Sequence, residues 1–104
     1  MFLIISTTTN KKFVADTISK NLLENKLTPC TNISTKMNST YLWDNKIIND
    51  DEYILSIKTI KPLEKEVVNI IKNSHNYDVP EIISTKIDIP SENYKKWFME
   101  NLKV

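Results

Sequence analysis

No glycine occurs anywhere in the 104 residues of this chain. Backbone positions that need a positive φ, or that approach a phosphate closely, normally use the residue without a Cβ. Its absence excludes a phosphate-cradling P-loop, a dinucleotide fingerprint, a nucleophile elbow and a standard calcium loop. Left-handed turn positions must then fall to Asn or Asp, the next most tolerant types, so the 12 asparagines serve as turn markers.

One cysteine excludes an intrachain disulfide and every CxxC metal or redox motif. The 14 basic residues are all lysine and balance 13 acids to a net charge of +1. No field holds a polyanion, and there is no arginine fork to read phosphate or guanine, so nucleic acid is not an expected partner. The apolar start, Met1 to Ile5, is too short for a signal peptide, and no run approaches the roughly 18 residues of a membrane span. A soluble, cytoplasmic, single-domain protein over 1–104 is the expectation. The richness in Ile, Asn and Lys matches A/T-heavy codons and reports the genome more than the function.

Phe2 to Thr7 reads as a strand, followed by Thr8, Thr9 and Asn10 as cap chemistry for a helix with Val14, Ile18 and Leu22 on one side. Thr28-Pro29 stops that helix. Cys30 to Trp43 and Glu52 to Ile60 read as two long strands, the second alternating through Tyr53, Leu55, Ile57 and Thr59. Their hairpin tip falls at Asp44-Asn45 or at Asn49-Asp50-Asp51. Pro62 opens a second helix with Leu63, Val67, Ile70, Ile71 and Ser74 as its stripe. Ile82 to Ile87 reads as a further strand, and Pro90-Ser91 opens a last helix carrying Tyr94, Trp97 and Phe98. The order is βαββαβ plus a C-terminal helix: an α+β, ferredoxin-like antiparallel sheet with two helices on one face. The other face is left without cover, which implies a partner subunit.

Residues separate the proteins that share this architecture. Copper chaperones need a CxxC pair, acylphosphatases an arginine, and RNA-recognition modules paired aromatics where this chain has Ser6, Ser56 and Lys58. What matches is Lys26-Leu27, Cys30-Thr31-Asn32-Ile33, Tyr41 to Ile47, Lys58-Thr59, His75 to Ile82, and Tyr94 with Trp97. In that order and spacing the chain resembles the CutA divalent-cation-tolerance family over practically its whole length. The family pattern is Trp-x-Gly-Lys around the hairpin and His-Pro-Tyr-Glu-x-Pro-Glu after the second helix. Asn45, Asn76 and Asp78 depart from it, and Asn76 gives up a proline's rigidity. The resemblance implies a PII-like homotrimer acting in tolerance to copper and other divalent cations, with metal binding and no catalysis. The alternative is a PII-like small-molecule sensor regulating a partner protein, with a hydrolase a distant third.

His75 is the first candidate metal ligand, for Cu(II) or another divalent cation; its competing role is a helix-end cap whose imidazolium suits the negative helix terminus. Cys30 is a weaker candidate, read first as a small hydrophobe at a strand start. One His and one Cys do not fill a metal site, so carboxylates such as Asp78 or Glu81, or other subunits, would complete it. Lys58, Tyr77 and Glu81 are expected to line an intersubunit cleft, or to tie the interface as an ion pair. Trp43 and Trp97 read as packing anchors, and Asp50, Asp51 and Glu52 as a solvated acidic cluster.

Overall fold

The computed structural model describes every residue from Met1 to Val104. Its elements run β1 (Phe2–Thr9), α1 (Lys12–Glu24), β2 (Cys30–Ile33), β3 (Met37–Trp43), β4 (Lys46–Ile60), a 3-10 turn (Lys61–Leu63), α2 (Glu64–Ser74), β5 (Ile82–Ile87) and α3 (Glu92–Glu100). The sheet is antiparallel throughout, ordered β2-β4-β1-β5, with β3 paired to the outer half of β4. The expected α+β, ferredoxin-like arrangement is present.

Odd-numbered positions of β1 and β4 turn toward the helices. Ile5, Leu55 and Ile57 meet Val14, Ala15, Ile18 and Leu22 of α1 and Val67 and Ile71 of α2 in one buried cluster. Each of these side chains larger than alanine contributes about 1.5–3 kcal/mol by leaving water. Helix α3 adds Phe98, which lies edge-on to Phe2 with centroids 5.4 Å apart. The even-numbered positions face away from α1 and α2, and Ile4, Ser6, Ser56 and Lys58 there are only half-buried.

Three backbone details follow from glycine starvation. The hairpin tip lies at Asp44 and Asn45, with φ 51° and 61°, the paired left-handed geometry of a type I′ turn. Asn49, Asp50 and Asp51, the other candidate tip, lie inside β4, which starts at Lys46 rather than at Glu52. The third positive φ, 53°, falls on Lys26 and not on an Asn or Asp. There the Leu27 N–H reaches the Leu22 carbonyl and the Lys26 N–H the Leu23 carbonyl, a Schellman closure of α1 with Leu22 and Leu27 both buried.

Two further expectations are corrected. Cys30 to Trp43 is not one strand: the register against β4 shifts by one residue between Ile33↔Leu55 and Met37↔Glu52, so Ser34 to Lys36 form a bulge. Ser34 stays anchored, its N–H to the Ile54 carbonyl (2.9 Å) and its Oγ accepting from the Ile54 N–H (2.8 Å). At the start of α1 the N-cap is Lys11, without a side-chain cap; Thr9, still in β1, accepts the Lys11 N–H at its Oγ1 (3.2 Å). Beyond Tyr53, β4 has outrun β1, so the β3–β4 hairpin projects as an arm and the protomer measures 46 × 25 × 22 Å. No helix is long and apolar enough to cross a membrane.

Candidate functional site

The projecting arm and the segment after α2 enclose an open cleft of about 870 Å³. Its floor is the arm face carrying Met37, Tyr41, Trp43, Ile48 and Glu52, and its wall is Tyr77 to Glu81. The wall is held by a short relay. The Tyr77 hydroxyl donates to Glu52 Oε2 (2.6 Å), and the Tyr77 N–H donates to His75 Nδ1 (3.0 Å). With that lone pair taken, the proton sits on Nε2, which donates to the Thr8 carbonyl (2.9 Å). Next to it, Thr9 Oγ1 donates to Asn76 Oδ1, and Asn76 Nδ2 to Asn10 Oδ1 (2.8 Å). The position where the family pattern has proline is thus fixed by side-chain hydrogen bonds.

Burial pushes the Tyr77 phenol well above its usual range, and the adjacent Glu52 carboxylate adds to the effect. Burial lowers the His75 pKa, opposed by the Thr8 carbonyl and by Glu52. With Nδ1 accepting a hydrogen bond and burial opposing charge, the ring is a neutral element of the relay, not the cationic helix-end cap, although His75 follows α2. Tyr41, also on the floor, is raised by desolvation and by the Asp50 and Glu52 carboxylates.

The candidate residues separate into two places. Tyr77 and Glu81 line the cleft, whereas Lys58 does not. Lys58 lies further along β4, paired with Cys30, and its Nζ is 2.6 Å from Asn32 Oδ1 and 3.8 Å from Cys30 Sγ. Cys30 does start a strand, but it is half-buried beside this ammonium and close enough to raise the Tyr94 phenol, which is mainly lifted by its own burial. His75 bonds to Thr8, which pairs with Ile54, and Cys30 pairs with Lys58, so the two sit about 13 Å apart along β4. No three His, Cys, Asp or Glu side chains of the protomer converge as a metal-holding group.

Two expectations about exposure are reversed. Trp43 and Trp97 are 54% and 43% exposed, so neither anchors the protomer's own core. The acidic run is not uniformly solvated: Asp51 is exposed, but Glu52 is buried under Tyr77. Glu52 is the site residue that sequence reasoning missed. Its signal was strand parity, since it shares a face of β4 with Ile54 and stands opposite Met37.

Residues 3–101 match the family model described as CutA1 divalent ion tolerance protein. The chain belongs to the CutA1 family. The divalent-cation tolerance protein CutA of Thermus thermophilus is 33% identical over 98 residues, covering 94% of this chain and 95% of that protein. Among solved CutA1 structures, that from Shewanella sp. SIB1 superposes with a TM-score of 0.94 at 31% identity, covering 99% and 96% of the two chains. The CutA of Archaeoglobus fulgidus, described as periplasmic, gives 0.91 at 31% identity, covering 97% and 98%. The Thermus and Archaeoglobus proteins are named for tolerance to divalent cations and not for a reaction.

Proposed function

We propose that this CutA1 protein acts in divalent-cation tolerance and metal homeostasis as a cytoplasmic, non-catalytic homotrimer that binds a divalent cation, with Cu(II) as the strongest binder. The observation that carries this reading is the chemistry of the cleft: Glu52, Asp78 and Glu81 line it, and no lysine or histidine of the same protomer does. The free carboxylates of Asp78 and Glu81 attract cations and oppose phosphate, which favours a metal over the nucleotide-like effector of a PII-type sensor. Asp78 and Glu81, both exposed, are the oxygen donors at its rim. With no three-ligand group inside one protomer, the coordination draws on a neighbouring protomer. His75 supports the wall, because joining a metal would cost it one of its two hydrogen bonds.

Calorimetric titration and thermal shift against Cu(II), Zn(II) and ATP test this reading. Cu(II) is expected to bind and to raise the melting temperature, since a ligand of the folded state must do so, with Zn(II) weaker and ATP inert. Stabilisation by ATP with no response to either metal would replace it with the sensor.

A further inference from the structure

A buried charge without a counter-ion is expensive, so an unpaired one points to a missing partner. Glu52, 5% exposed, is the one buried carboxylate of the chain. It receives the Tyr77 hydroxyl, but the protomer's ion pairs are Lys12–Asp16, Lys61–Glu64, Glu92–Lys95 and Glu66–Lys103, and none reaches it. The lysines show the converse. All are exposed except Lys95, which pairs with Glu92, and Lys58, which is half-buried with the Asn32 amide and the Cys30 thiol for neighbours and no carboxylate.

Glu52 and Lys58 occupy even-numbered positions of β4, on the face that α1 and α2 leave open. Six residues apart, they are separated by about 20 Å, beyond the roughly 10 Å over which charges interact through salt solution. They cannot neutralise one another within a chain. In a cyclic assembly, however, two different patches of one surface meet at every interface, and the ring closes. The apolar cover for such a contact stands toward the tip of the same arm, where Leu42 and Trp43, opposite Ile47 and Lys46, are 72% and 54% exposed.

We infer that, in the homotrimer proposed above, Lys58 of each protomer seats its ammonium against the Glu52–Tyr77 pair of the next and completes the inner end of its cleft. The inference rests on that assembly. It leaves Asp78 and Glu81 at the rim for the metal, and it supplies the cleft with the lysine that the single chain places elsewhere.

A double-mutant cycle read by sedimentation equilibrium is the test, using wild type, Glu52→Gln, Lys58→Gln and the double variant, with circular dichroism confirming the fold. Each single change is expected to weaken trimer association by about tenfold or more, and the double variant to be no weaker than the worse single. The charge-reversed pair, Glu52→Lys with Lys58→Glu, should associate better than either reversal alone. Coupling of this kind arises between protomers, because the intrachain separation is too long. A stable trimer in which the two losses simply multiply overturns the inference and leaves the assembly standing. A wild-type monomer overturns both.

Discussion

His75 is the only histidine, the one side-chain type whose ordinary titration range lies near neutrality. Its folded-state pKa is depressed below the usual 6.5 by burial, so the unfolded chain binds more protons in that range. Its contribution to stability is complete above pH 6.5 and is lost as pH falls through that value toward the folded pKa. The His75 ring resonance should titrate below 6.5 by NMR, and the fall in melting temperature between about pH 7 and pH 5 should flatten in His75→Gln. A ring titrating above 6.5 would contradict the neutral relay. For Tyr77→Phe the expected cost is about 1–3 kcal/mol in urea unfolding, because Glu52 keeps its burial and loses its donor. An unchanged midpoint would show that Glu52 finds another donor. The sequence makes Tyr77 legible through the motif around it. Strand parity sets Glu52 on the face of Ile54, but its burial is hidden because it comes from a loop 25 residues further along.

At the scale of elements, glycine starvation makes testable demands. Lys26 bears a left-handed conformation that costs a residue with a Cβ about 1 kcal/mol, so Lys26→Gly should raise stability by about that amount in chemical denaturation. A loss of stability would mean that the Lys26 side chain contributes more than its backbone strain removes. The Phe98 ring ties α3 to the core, and Phe98→Ala should cost about 3–5 kcal/mol, measured the same way. Strand and helix order was readable from periodicity, since Leu55, Ile57 and Thr59 alternate and Val14, Ile18 and Leu22 repeat at helical spacing. The bulge at Ser34 to Lys36 and the start of β4 at Lys46 were not. Both depend on pairing register: Asn49 and Asp51 are turn-forming types that enter a strand through the amide contacts of Asn49 with Asn38 and of Asp51 with the Asn38 amide.

For the whole molecule, the exposed Trp43 and Trp97, the open sheet face and the unpaired Glu52 and Lys58 are features that a single protomer leaves unexplained and an assembly explains together. Sequence supplied the family through motifs spread along the whole chain. It could not supply which motifs meet in one protomer, because Lys58 and Tyr77 are brought to different places by the length of β4. The most direct measurement of the central claim is native mass spectrometry of the protein with one equivalent of Cu(II) per chain. The predicted species has three times the 12.1 kDa chain mass and carries copper that the protomer does not hold when the assembly is dissociated. A monomer, or a trimer that leaves the instrument without metal, would contradict it.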